Sequence, residues 1–204
     1  MRFLGRRERV FRRGQSGGDT RGAPRHRNES TYKRISPFVE LPWVARGMAA
    51  KGPGVLEIFI DADGCPVKPE VYRVAQRYGL HVTVVANAWM RIPYGAWLEL
   101  VVVEGQFDAA DDWIVEHVTE RDIVISGDIP LAARCLDKGA LVLGHRGHPF
   151  TEDSIGEALA SRALLAHLRD LGTMAGGPAP FEPRDRSRFL QRLDATIQAA
   201  RRGR

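Results

Sequence analysis

The sequence has few cysteines, no long apolar run and no apolar leader. Its 204 residues include 2 cysteines, too few for a disulfide scaffold or a structural zinc site. No apolar run approaches the roughly 18 residues that span a membrane. The arginines among the first 30 residues are not followed by the apolar stretch of a secretory signal. These absences predict a soluble, cytoplasmic protein whose thiols are reduced and which spans no membrane.

The excess positive charge is confined to the N-terminal quarter of the chain. The formal net charge is +5, but residues 1–54 hold 13 Lys and Arg against 4 Asp and Glu. Residues 55–204 hold 17 Lys and Arg against 21 Asp and Glu, so the longer part is mildly acidic. Because an acidic surface repels phosphate, a nucleic-acid substrate would need metal ions or local basic patches.

The same boundary divides the chain into an extension and a domain. Residues 1–54 are rich in Arg, Gly and Ser with few apolar residues, a composition that predicts a disordered basic extension. Such a segment suits a basic arm for nucleic acid, a transit peptide or a surface tether. Met48 is an alternative start for the protein, just before the first predicted strand. Residues 55–204 are long enough for one domain with its own core.

Short apolar runs alternate with helical patterns through this domain. Apolar, β-branched runs predict five strands, at 55–60, 80–86, 98–103, 122–126 and 140–143. Helical spacing predicts helices at about 69–78, from Asp108 to His117, from Leu131 to Leu136, at about 152–170, and around Phe189 to Ile197. Strands separated by helices favour right-handed crossovers. The sequence therefore predicts an α/β fold with a central, mainly parallel sheet covered by helices on both faces.

Aspartates stand at the ends of the predicted strands or at helix starts. Asp61 and Asp63 follow the first strand, and Asp128 follows the fourth. Asp108 and Asp111 lie in the first turn of the predicted helix from Asp108 to His117, and they share one face of it. Since ligands of open parallel sheets bind at the carboxyl ends of the strands, we expect these carboxylates in one pocket. Close carboxylates repel one another, and Mg²⁺ or Mn²⁺ is their natural partner for attack of water on a phosphodiester.

Other polar residues near these strand ends are candidates for contact with substrate. Lys68 and Arg146 are placed to hold a phosphate, and Asn87 and Ser126 stand at the ends of the second and fourth strands. Each also has a structural interpretation, as a solvated lysine, a loop arginine or a turn residue. Any single aspartate of the set is equally suited to cap a helix.

The run DADGCPVK from Asp61 to Lys68 resembles the opening signature of the bacterial YaiI/YqxD family. The likeness continues through VAN (85–87), DAAD (108–111), ISGDIPLA (125–132), KGA (138–140), RG (146–147) and GGP (176–178), so that it covers about 57–200. This family is grouped with PIN-like domains, whose relatives are metal-dependent nucleases. The resemblance implies a PIN-like α/β/α fold and a hydroxyl residue, Ser126, before the late Asp128. It also implies metal-binding or water-orienting roles for Asp61, Asp63, Asp108, Asp111 and Asp128.

The sequence therefore predicts a metal-dependent nuclease that acts on RNA with Mg²⁺ or Mn²⁺, with Asp61, Asp63 and Asp128 as the catalytic group. One alternative is a HAD-type phosphatase with Asp61 as nucleophile. The acidic pair Asp111-Asp112 precedes Ser126, however, whereas that superfamily places its late acidic motif after the serine. Another alternative is a non-catalytic RNA-binding or regulatory module, and a third is the toxin of a toxin–antitoxin pair. No feature of the sequence indicates a protein partner or an oligomeric state.

Overall fold

Seven strands form a single sheet. The structure, a computed structural model, describes residues 32–35, 55–105, 108–171 and 180–203. The strands are Tyr32–Ile35 (β1), Glu57–Asp61 (β2), His81–Ala86 (β3), Leu98–Val103 (β4), Ile123–Ile125 (β5), Leu141–Leu143 (β6) and Pro149–Phe150 (β7). Their order across the sheet is β1-β4-β3-β2-β5-β6-β7. The five inner strands are parallel, and β1 and β7 pair antiparallel at the two edges.

Five helices cover the two faces of this sheet. They are Lys68–Tyr78 (α1), Ala109–His117 (α2), Ile129–Leu136 (α3), Glu152–Asp170 (α4) and Pro183–Arg202 (α5). α1 and α5 pack on one face, α2 and α3 pack on the other, and α4 packs on α3. No described helix is both long and apolar enough to cross a membrane.

Alternation along β2 decides which face each side chain joins. Ile58 and Ile60 are fully buried against α1 and α5, whereas Phe59 is buried against α2 and α3. Successive strand residues point to opposite faces, so Asp61 shares the side of Phe59. The last residue of β2 therefore presents a carboxylate towards α2 and α3 at the carboxyl end of the sheet.

Local sequence signals set the helix ends. Pro69 lies in the first turn of α1, and Gly79 ends that helix in the left-handed conformation at φ 62°. α5 begins with Pro183 and a capping box, in which the side chains of Glu182 and Asp185 bond each other's backbone N–H groups. These signals are local. The bounds of α1 and α4 lie within one residue of the prediction, whereas α5 extends beyond the predicted Phe189 to Ile197 at both ends.

The predicted α/β class, the five inner strands and the five helices are confirmed. Two edge strands were not predicted. β1 lies within the 1–54 segment that was predicted to be disordered, and its backbone pairs with Leu100–Val103; the rest of that segment lies outside the described residues. β7 is only two residues long, too short for an alternation pattern. Asp61 is the last residue of β2 rather than the first residue after it.

Candidate functional site

Asp61, Ser126 and Asp128 meet where β2 and β5 end side by side. Asp61 is 8% exposed, and its Oδ2 accepts a hydrogen bond from the Ser126 hydroxyl at 2.7 Å. The same hydroxyl oxygen accepts the backbone N–H of Asp128 at 2.9 Å. The parallel register of β2 and β5 creates this contact, because it sets Ile60 beside Ile125 immediately before the two polar residues.

The turn after β2 holds a second carboxylate. The backbone N–H of Asp63 donates to Asp61 Oδ1 at 3.3 Å, and Asn87 Nδ2 donates to Asp63 Oδ2 at 2.6 Å. Lys68 Nζ donates to the carbonyl of Ala62 at 2.9 Å. Asn87 and Lys68 therefore lie at the same edge as the two aspartates, as the sequence predicted, and both are engaged with the turn itself.

Asp111 on α2 faces the same place from the other side. Burial raises the pKa of Asp111 to about 6, and the negative charges of Asp61 and Asp128 contribute to that rise. Burial also raises the pKa of Asp61 against the lowering effect of its Ser126 hydrogen bond, with smaller contributions from Asp63 and Asp128. Carboxylates from β2, α2 and α3 are thus close enough for their charges to act on the pKa values of Asp61 and Asp111. We call this group, Asp61, Asp63, Asp111 and Asp128, the acidic edge.

Asp108 and Asp112 flank Asp111 on α2 with different surroundings. Asp108 occupies the N-cap position of α2 but makes no side-chain cap hydrogen bond, and its charge adds to the raised pKa of Asp111. Asp112 points away and pairs with Arg134 at 2.7 Å. Of this pair, Asp108 is therefore the one that acts on the acidic edge.

Asp128 already has two partners in this conformation. Its Oδ1 accepts the backbone N–H of Leu131 at 2.9 Å, so that Asp128 caps α3. Its Oδ2 lies 3.5 Å from Arg162 Nη1 of α4. Sequence reasoning missed Arg162, because nothing in a long helix 34 residues away indicates which of its positions reaches the sheet edge.

The sequence predicted that these carboxylates share one pocket with Mg²⁺ or Mn²⁺. Within the ranges that the structure describes, no three or more His, Cys, Asp or Glu side chains are arranged to hold a metal ion. The donor set nevertheless suits a hard cation. It consists of carboxylate oxygens, and burial, together with the charges of neighbouring carboxylates, raises the pKa values of Asp61 and Asp111.

Arg146 stands apart from the acidic edge. Its Nη1 lies 3.0 Å from Oδ2 of Asp185, which is buried at the start of α5, and its Nη2 donates to the Pro180 carbonyl at 3.1 Å. These contacts fix the loop after β6 to α5. The structure thus gives Arg146 a tethering contact rather than an open approach to a phosphate.

Two further side chains, those of His145 and Cys65, lie close to the acidic edge. The ring of His145 packs against Gly127, where an added Cβ would lie 3.2 Å from the imidazole. Burial lowers the pKa of His145, and the positive charge of Lys68 lowers it further. Cys65 is buried at 4% exposure, and burial raises the pKa of its thiol to about 11, so this thiol is an inert core group.

Known proteins are similar in sequence to the part of the chain that contains the acidic edge. A sequence profile described as "Uncharacterized BCR, YaiI/YqxD family" matches residues 59–199, which include all the aspartates of the acidic edge. A UPF0178 protein of Rhodospirillum centenum is 58% identical over 154 residues, or 74% of this chain and 100% of that protein. A UPF0178 protein of Rhodospirillum rubrum is 55% identical over 150 residues, or 73% of this chain and 100% of its own length. No solved structure matches the chain.

Proposed function

We propose that this chain, which belongs to the YaiI/YqxD family, is a metal-dependent nuclease that hydrolyses phosphodiester bonds in RNA at the acidic edge. The observation that supports this most is that Asp61 and Asp128 meet at the ends of β2 and β5, where the Ser126 hydroxyl bonds to both residues. Three separate elements supply carboxylates to one place at the carboxyl end of a parallel sheet. Such an excess of negative charge favours a divalent cation.

Mg²⁺ or Mn²⁺ is the cofactor in this proposal. Asp61 and Asp128 are its main protein ligands, and Asp63, Asp108 and Asp111 complete the shell or orient water. Mg²⁺ typically keeps several waters and is held by one or two carboxylates together with substrate phosphates, which fits an open arrangement of acids. When bound, the ion lowers the pKa of a coordinated water and stabilises negative charge on the phosphate.

The surrounding residues position the acids in this scheme. Ser126 orients the Asp61 carboxylate, and Asn87 orients that of Asp63. Lys68 supplies a positive charge beside the turn and is our candidate for contact with the phosphate. We assign Arg146 to holding α5 in place, because it contacts Asp185 at the start of that helix and the carbonyl of Pro180 just before it. The cytoplasm is the proposed location, since RNA and Mg²⁺ are both present there.

The test compares three Asp→Asn variants of the full chain on labelled single-stranded RNA with Mn²⁺ or Mg²⁺, read on denaturing gels. Asp61→Asn and Asp128→Asn are expected to abolish metal-dependent cleavage while the circular dichroism spectrum stays unchanged. Asp137→Asn, at the exposed C-terminal end of α3, is the matched control and should cleave normally.

Other outcomes distinguish the alternatives. Normal cleavage by both Asp61→Asn and Asp128→Asn would place the active site elsewhere. Hydrolysis of p-nitrophenyl phosphate that depends on Asp61, without RNA cleavage, would support the phosphatase. Tight RNA binding in EDTA, with no cleavage in any metal, would support a non-catalytic module.

A further inference from the structure

Charged residues are divided unequally between the two faces of the sheet. α1 and α5 together contain nine Lys and Arg against three Asp and Glu, whereas α2, α3 and α4 contain three against seven. We call the outer surface of α1 and α5 the basic face. It carries a positive field although residues 55–204 are acidic as a whole, and it is the side from which a phosphate backbone is attracted.

The basic face starts at the acidic edge. α1 follows β2 and so begins at the carboxyl end of the sheet. Near that beginning Glu70 pairs with Arg186 at 3.1 Å, and near its end the Tyr78 hydroxyl donates to Asp194 at 2.7 Å. α5 therefore runs parallel to α1, and both helices lead away from the proposed active site.

A groove follows the junction of these helices. It has a volume of about 490 Å³ and is lined by Arg73, Val74, Arg77, Leu190, Gln191 and Asp194. The Asp194 carboxylate is engaged by Arg77 and Tyr78, which compensates its charge. Arg73 is exposed beside it, and Arg188 of α5 is half exposed closer to the acidic edge. A groove with arginines along its α1 side and the apolar Val74 and Leu190 between the helices suits a polyanion that also has flat apolar groups.

Exposed aromatic rings lie next to α1. The loop after β3 starts at Asn87 on the acidic edge and carries Trp89 and Tyr94, which are 66% and 67% exposed. This loop packs on α1, since the rings of Trp97 and Tyr72 meet edge to face with centroids 6.0 Å apart. Aromatic rings stack on the unpaired bases of single strands, and basic residues beside them hold the backbone.

We propose that the basic face, together with Trp89 and Tyr94, is the binding surface for single-stranded RNA and leads its backbone to the acidic edge. That the bound RNA leads to the acidic edge rests on the proposed nuclease function. Binding of RNA to the basic face needs neither metal nor cleavage. The acidic helices α2, α3 and α4 oppose approach from the other face. A strand that reaches Asp61 therefore crosses the edge at Lys68.

Fluorescence anisotropy of a labelled U12 RNA with the full chain in EDTA tests this surface. Arg73→Gln/Arg188→Gln should weaken binding about tenfold and reduce the slope of log affinity against log salt by about 1.4. Trp89→Ala should weaken binding at least about fivefold. Lys138→Gln, which removes an exposed positive charge after α3, is the matched control and should stay within about twofold of wild type. Asp185 keeps Arg146 as partner when Arg188 is replaced, so we expect the double variant to fold.

Cross-linking of 4-thiouridine RNA, read by mass spectrometry, locates the strand independently. The basic segment 1–54 is present in every variant, so affinity differences between variants do not come from it. Cross-links on α1, α5 or the loop from Asn87 to Trp97 are expected. Cross-links confined to 1–54 or to α2 and α3, equal affinity of the double variant and the control, or preference for anionic vesicles over RNA would overturn the proposal. Because binding is measured without metal, loss of nuclease activity and loss of this surface are separate results.

Discussion

The hydroxyl of Ser126 connects Asp61 to the first turn of α3. It donates to Asp61 Oδ2 at 2.7 Å and accepts the Asp128 backbone N–H at 2.9 Å, and its residue is fully buried. One side chain thus fixes both the most buried carboxylate of the acidic edge and the residue that caps α3. Three consequences of this arrangement can be measured.

Ser126→Ala should lower the free energy of unfolding by about 1–3 kcal/mol, because it leaves a buried carboxylate oxygen without its donor. The pKa of Asp61 should rise further, since this hydrogen bond is the largest effect that now lowers it. Urea denaturation at pH 7 measures the stability change. Ser187→Ala, which removes an exposed hydroxyl on α5, should cost less than about 0.5 kcal/mol. Equal losses for the two variants would show that the Ser126 contact contributes nothing specific.

Asp111→Asn should stabilise the protein at neutral pH. The pKa of Asp111 is about 6 in the folded protein and 3.8 in the unfolded chain, so the folded state binds the proton more tightly. The favourable contribution of Asp111 is complete below about pH 4 and is lost as the pH rises through 6. Solvent screening reduces the gain from the variant at pH 7 to about 1 kcal/mol.

The gain should disappear below about pH 4, where Asp111 is protonated in both states. The neighbouring variant Asp112→Asn is the control, because Asp112 is exposed and paired with Arg134, and it should bring no gain. Thermal denaturation across pH 3 to 8 measures both variants. A stability profile for Asp111→Asn that parallels wild type at every pH would show that the acidic edge stores no repulsion.

Arg162→Gln should strengthen binding of Mn²⁺. The Arg162 guanidinium lies 3.5 Å from Asp128 Oδ2, where it competes with a divalent cation for the same carboxylate. An exposed pair of this kind contributes up to about 1 kcal/mol, which corresponds to an affinity gain of up to about fivefold. Isothermal titration calorimetry with MnCl₂ measures the change. Lys138→Gln removes the same charge at a distance and should leave the affinity unchanged; an equal gain there would mean that general charge, not Arg162, is responsible.

Much of the fold follows from patterns confined to short stretches of sequence. The inner strands are short, mostly apolar runs, and Gly79 and Pro183 mark helix ends by their own backbone preferences. The edge strands have no such signal. β1 is stabilised by pairing with a strand 65 or more residues away along the chain, and β7 is too short to show alternation.

The sequence predicts which site residues lie close together where the order of the strands in the sheet is enough to decide it. Asp61 and Asp128 follow neighbouring parallel strands, so their approach requires only the sheet order. The partners of those residues depend on packing between distant helices. Arg162 reaches Asp128 because α4 packs on α3, and Arg146 is held by Asp185 because α5 returns to the loop after β6. Neither pairing can be read from spacing along the chain.

The pairing of Tyr32–Ile35 with Leu100–Val103 also determines which strand forms this edge of the sheet. Without β1, the outer side of β4 would present a row of unpaired N–H and C=O groups. Leu100, Val101, Val102 and Val103, all buried apolar residues, would stand along that row. Such a strand is a template for intermolecular pairing and amyloid-like aggregation. A polypeptide shortened to begin at Met48 would therefore have the apolar strand β4, in place of β1, at this edge of its sheet.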